Sequence, residues 1–387
     1  MAMTSRERVQ AVLNHEIPDQ VPVIIGVSNA TGIKMTPYKA IKELAGIDAP
    51  DEYIYDWPEL GTALPDEATL IRLHSDVRGV YDRLPEAVSR RNKTRPAHSN
   101  FIDDWGSGQK EIEDGVWYPG VHPLAEATTI EEIEAYTNWP DMHDPYRVAQ
   151  VRAAARKLAD ENQFAIMATP WLLFPFERAH AMQGLDKFLY NMAVDKEFSK
   201  YLLEKIYGYC KTLMGYFLDE LGGNVDIIKI GDDLGTQESL LISPKMYREF
   251  LKPIHADFIH FIKERTKAKV FFHTDGDVFN LIEDFIEIGV DILNPIQTSA
   301  GRMSNLAELK QRFGDRIILC GAIDTQKVLP YGSPAEVRGE VKRVINILGD
   351  GGGYMLASVH TIMNEVPAEN VLAMVDAAQE FGKYPLK

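Results

Sequence analysis

The 387-residue chain has only two cysteines, Cys210 and Cys320. They lie far apart in sequence and form no Cys-x-x-Cys pair, which excludes a disulfide framework. Positive charge is also scarce: 41 Lys+Arg stand against 57 Asp+Glu, a formal net charge of −16. Nucleic acid and anionic membrane surfaces both require a basic footprint, so neither is expected as a partner. Long apolar runs are missing. The stretch from Val21 to Val27 is far too short to cross a bilayer, and Arg6, Glu7, Arg8 and His15 before it do not make a signal peptide. No Gly-x-Gly-x-x-Gly follows the first strand candidate, and the glycines at 349 and 351–353 precede a strand, which makes them a turn rather than a phosphate cradle. What remains is ordinary globular composition, 45% apolar and 25% charged, expected to fold around a large core in the reducing cytoplasm.

Short β-rich runs alternate with helical patterns, the order of a parallel sheet with crossover helices. In the second half the runs are Asp226–Gly231, Lys269–Thr274, Val290–Asn294, Arg316–Gly321 and Gly353–Ser358. Pro22–Gly26, Leu73–Val77 and Ala165–Thr169 bring the strands to eight, the count of a (β/α)8 TIM barrel, with an open doubly wound sheet as the rival. Ser333-Pro-Ala-Glu336 is a capping box with proline at the first helical position, and Gly289 ends the helix before it. One domain is expected over 1–387, with an insertion at about 84–140 whose Trp, Gly, Asp and Pro content predicts hairpins beside the barrel mouth. Trp105 and Trp117 there are candidate apolar walls.

Polar residues directly after barrel strands face the mouth where catalysis occurs. Five consecutive strands end in such residues: Asp232, Asp233 and Gln237 after the fourth, His273 and Asp275 after the fifth, Asn294 and Gln297 after the sixth, Asp324 after the seventh and His360 after the eighth. A single Asp or Asn at such a place often does no more than cap the next helix or loop. His273 and Asp275 are two apart in an extended segment and share a face. With His360 they make two imidazoles and a carboxylate, a set that suits catalytic zinc and leaves a position open. Asp232, Asp233 and Asp324 are candidates for moving a proton, and Gln237, Asn294, Gln297 and Arg178 for holding substrate. Cys320 is read as a buried, inert thiol.

These residues carry a resemblance. The blocks Thr4–Asn14 with Asp19–Val23, Pro175-Phe-Glu-Arg178, His273-Thr-Asp-Gly276, Gly289–Pro295, Cys320–Asp324 and Pro367–Met374 occur in the order found in the uroporphyrinogen decarboxylase superfamily. The resemblance implies a TIM barrel, often dimeric. Its tetrapyrrole decarboxylases carry an Arg-Gln-Ala-Gly-Arg-Tyr clamp after the first strand, where this chain has Gly26-Val-Ser-Asn-Ala-Thr31 and no arginine. Asp76 is placed after a strand much as the decarboxylases' aspartate is. The superfamily's thiol-methylating, cobalamin-dependent branch holds zinc through His-x-Cys and a second Cys, positions that here read His273-x-Asp275 and His360. The harder ligand set implies a metal suited to polarising an ether or alcohol oxygen. The reading is a methyltransferase component that moves a methyl group from a small donor, such as a methoxylated aromatic, to a corrinoid on a separate protein. A decarboxylase of a small carboxylate and a non-catalytic ligand-binding barrel are the alternatives.

Overall fold

The computed structural model describes the chain except residues 1–2, 58–59, 96–98, 114–115, 173 and 387, and except the side chains at 56, 93, 112, 113, 116 and 117. Its strands are β1 (Val77–Val80), β2 (Phe101–Ile102), β3 (Gly108–Glu113), β4 (Val116–Val121), β5 (Ala165–Ala168), β6 (Ile227–Gly231), β7 (Lys269–His273), β8 (Ile292–Ile296), β9 (Ile318–Ile323) and β10 (Tyr354–Ser358). Seven of them form one parallel sheet in the order β1-β5-β6-β7-β8-β9-β10. The segment around Val23 closes it into a TIM barrel: Val23 bridges Leu356 of β10 in parallel, and the Val23 carbonyl accepts the Asp76 N–H at 2.9 Å. Closure removes the rival open sheet.

Two expected strands differ from the observed ones. The Pro22–Gly26 run is reduced to that bridge, because Gly26 turns at φ +75° and the chain leaves the sheet. The second strand lies at Val77–Val80, not Leu73–Val77, because the helix Glu67–Arg72 runs up to Leu73 and His74 reverses the chain at φ +53°. Apolar content at Leu73 therefore belongs to the end of a helix.

Alternation along the strands sorts the barrel interior into layers. Val77, Met167, Ile227, Phe271, Ile292, Ile318 and Met355 form an apolar plug with Val9, Val12 and Leu13 of the helix Ser5–Leu13. Thr4 and Glu7 cap that helix in a reciprocal box, and Arg6 and Arg8 tie it across the bottom by ion pairs to Asp226 and to Asp19 and Asp76. Two residues further along the same faces come Lys229, His273 and Asn294, all buried. Burying these polar groups above a sealed apolar layer is costly unless each is paired or used, and this places the site.

Between β1 and β5 the segment expected as an insertion carries the helix Glu86–Lys93, an antiparallel sheet of β2, β3 and β4, and the helix Ile130–Ala135. Among the described residues no helix is long and apolar enough to cross a membrane.

Candidate active site

His273 ends β7 level with Gly231 of β6 and Asn294 of β8. Its Nδ1 lies 2.7 Å from Asn294 Oδ1. That carbonyl oxygen can only accept, so Nδ1 carries the proton and the Nε2 lone pair faces the mouth. Burial holds the imidazole below its ordinary pKa against the pull of Asp275 and Asp233, which keeps it neutral. Gly231 makes room for it: a Cβ there would stand 2.5 Å from the His273 carbonyl oxygen and 2.8 Å from its Cβ. Gly231→Ala is accordingly expected to push His273 aside and weaken metal affinity by about tenfold or more, about 1.4 kcal/mol, with a competitive zinc titration as the check.

The His273, Asp275 and His360 ligand atoms lie within 4.8 Å of one another. Asp275 Oδ2 is 4.0 Å from His273 Nε2 and 3.8 Å from His360 Nε2, too far for hydrogen bonds to either. Its Oδ1 is buried with no hydrogen-bond partner among the described residues. A carboxylate left unpaired between two imidazoles is costly as it stands and fits a shared cation. Burial, then Asp233, push its carboxyl up to about 6. The Asp275 backbone is fixed on both sides: its N–H donates to Asp233 Oδ1 at 2.9 Å, and the Gly276 N–H to Gln297 Oε1 at 2.7 Å.

The other expected site residues divide into those at the mouth and those elsewhere. Asp233 lines a polar chamber of about 90 Å³ together with His273 and His360. Asp232, its neighbour, points the other way and is fully buried, accepting from the Phe176 and Glu177 N–H groups and lying 3.1 Å from His255 Nε2. Asp324 accepts the Gln326 N–H at 2.8 Å and serves as a cap. Asn294 supports His273, and Gln297 supports the Asp275 loop. Gln237 lies in an exposed loop, bonded through its backbone to Gly301. Arg178 pairs with Asp103, faces the Trp105 ring at 4.8 Å and lines the large cavity beside the inserted sheet. Trp105 packs against Trp139 and Tyr209 as an anchor, and the Trp117 side chain lies outside the described residues. Asp76 precedes β1 at the sealed end of the barrel, where it bonds the Val23 N–H and Arg8. The aspartate that does follow β1 is Asp82, fully buried and accepting the Trp171 N–H at 2.7 Å.

Lys229 and Glu177 were not singled out from sequence, and both line the polar chamber. Burial, reinforced by Asp233 and Asp232, holds the Glu177 carboxyl well above its ordinary range. Burial likewise draws the Lys229 ammonium down, against the pull of Glu177, Asp233 and Asp275. A lone lysine inside an apolar strand run was the available signal. Through Trp171 and Glu177 the chamber adjoins a cavity of about 1040 Å³ between the inserted sheet and the helices Pro175–Gln183 and Leu185–Val194. Trp57 and Phe101, stacked at 4.1 Å, form its aromatic wall with Trp171.

Comparison with known proteins places the chain in a family. A profile of the uroporphyrinogen decarboxylase family, URO-D, matches residues 113–381. The chain belongs to that family. It is 24% identical over 263 residues to a uroporphyrinogen decarboxylase of Actinobacillus succinogenes, covering 67% of this chain and 70% of the relative. It is 24% identical over 248 residues to that of Methylococcus capsulatus, covering 62% and 66%. A methyltransferase from Methanosarcina mazei shares the fold over 98% of this chain and 99% of its own, with a TM-score of 0.63 at 18% identity. As expected from its sequence, this URO-D member has no arginine in the segment after Val23. Asn29 there hydrogen-bonds Lys229, and Ser28 closes a turn by accepting the Ala30 and Thr31 N–H groups.

Proposed function

We propose that this URO-D protein is the methyltransferase component that removes the methyl group of a small methoxylated aromatic and passes it to a corrinoid carried by a separate protein. The observation that carries the reading is the unpaired Asp275 carboxylate between two imidazoles whose free nitrogens face a chamber. His273, Asp275 and His360 would hold a divalent ion, most suitably zinc, which supplies Lewis-acid polarisation of the ether oxygen when bound. Asn294 keeps the His273 tautomer, and Asp233 and Gln297 keep the Asp275 loop in place. The departing oxygen retains the bonding pair of the broken O–CH3 bond and takes up one proton. Glu177, whose carboxyl is held protonated by burial, stands in the same chamber and is the group placed to give it. Trp57, Phe101 and Trp171 would take the ring and exclude water. The methyltransferase from Methanosarcina mazei supports the reading at the level of fold, and the family's corrinoid branch supports the acceptor.

The experiment is a spectroscopic assay of zinc-loaded protein with methoxylated aromatics and a reduced corrinoid protein. The expected result is a donor-dependent change from the reduced to the methylated corrinoid spectrum, with the matching phenol released. A second reading, decarboxylation of a small carboxylate, is favoured by the buried Lys229 cation. Carbon dioxide release without methyl transfer in the same mixtures would replace the first reading by the second.

A further inference from the structure

Lys229 stands in mid-strand on β6 at the floor of the polar chamber, only 8% exposed. Its Nζ donates to the neutral Asn29 Oδ1 at 2.9 Å, and among the described residues no carboxylate forms an ion pair with it. An ammonium group has three donors, and among the described residues only Asn29 accepts from it. Glu177, Asp233 and Asp275 act on the ammonium only through space, without a direct ion pair, so its remaining donors are left for a ligand in the chamber. A Met of similar length would fill the same space in the barrel, so packing alone does not account for a lysine. The chamber it faces is small, about 90 Å³, and its other walls include His273 and His360. Trp171 and Glu177 border both this chamber and the aromatic-walled cavity beyond it. A ligand entering that cavity ring-first against Trp57 and Trp171 would bring oxygen substituents to Lys229 and to the histidines together.

We propose that Lys229 is a specificity residue that binds an anionic oxygen of the substrate, so that the site selects aromatic donors bearing a phenolate or carboxylate oxygen next to the reacting methoxy group. The inference rests on the reading of the site as one for methoxylated aromatics, although the anion contact itself requires no methyl transfer. Charge-assisted hydrogen bonds to a buried ammonium are among the stronger ones. The selected donors should therefore bind about tenfold to a hundredfold tighter than a neutral analogue.

The test is a binding titration followed by quenching of tryptophan fluorescence, with zinc-loaded protein and three probes: anisole, 2-methoxyphenol and 2-methoxybenzoate. The expected result is that at least one of the two oxygen-bearing probes outbinds anisole by that factor, and which one does so identifies the anionic group. In Lys229→Met the advantage should vanish while anisole affinity is unchanged, and Lys229→Gln provides a second replacement should the first destabilise the barrel. Equal affinities for all three probes in the unaltered protein, no binding of any, or an advantage that survives both substitutions would overturn the proposal. Phenol and benzoate separate it from the broader reading: if they show the Lys229-dependent preference while no methoxylated probe is demethylated, the recognition site stands and the methyl-transfer reading falls.

Discussion

His273→Ala is expected to leave a folded protein that no longer holds metal. The residue sits at a strand exit above the apolar plug, so the layers that stabilise the barrel are untouched. The substitution removes one of the three proposed ligands, the neutral imidazole whose orientation Asn294 fixes. Zinc content after loading and gel filtration should fall from about one per chain to below about a tenth, because losing one of three protein ligands weakens binding by orders of magnitude. Methyl transfer should fall with it, while the thermal midpoint of the metal-free variant stays within a few degrees of the metal-free parent. Full zinc occupancy in the variant would remove His273 from the ligand set.

Asp232→Ala is expected to do the reverse, damaging the fold first. Its carboxylate is fully buried, accepts two N–H groups at the start of the helix Pro175–Gln183, and pairs with the equally buried His255. Truncation leaves an imidazole and two backbone donors without partners in the core. Breaking a buried pair in this way costs about 3–5 kcal/mol, which a urea unfolding curve resolves easily. Activity should also fall, because the same helix start positions Glu177 in the chamber, but zinc should still bind to whatever protein remains folded. Asp232→Asn, which keeps one acceptor oxygen for the helix start, should recover part of the stability. A loss of activity with unchanged stability would instead return Asp232 to the group of reacting residues.

The contrast between Asp232 and Asp233 shows where sequence reading reaches its limit. Both follow β6, and nothing in their identity distinguishes them. Strand alternation turns one to the chamber and the other to the outer helices, and only the packing of His255 and Phe176 settles which role each plays. The clustering of His273, Asp275 and His360 was legible because their spacing carries geometry: two residues apart on one strand end, with a third side chain at a strand end that closure of the ring brings near. Parallel strand order was legible from alternating β-rich and helical runs. Asp76 lies at the sealed bottom and not at the mouth because the apolar Leu73 closes a helix instead of belonging to a strand. Arg178 and Asp324 are candidates by position, and in the structure Arg178 pairs with Asp103 while Asp324 caps a turn. Lys229 was passed over because an apolar run conceals one lysine, and its burial on the inner face emerges only once the register of β6 is fixed. The family blocks placed the chain among URO-D proteins, but the change from His-x-Cys to His273-x-Asp275 is what separates its proposed chemistry from thiol methylation.

The proposed function stands or falls with one divalent ion held by two imidazoles and a carboxylate at the barrel mouth. Zinc K-edge X-ray absorption of the zinc-loaded protein tests it most directly. Cys210 and Cys320 are both buried, and neither belongs to the cluster. One zinc per chain is expected in a shell of nitrogen and oxygen only, at about 2.0–2.2 Å, with the multiple-scattering pattern of two imidazoles. A protein that emerges from zinc loading empty, or a spectrum that requires sulfur at about 2.3 Å, would contradict it.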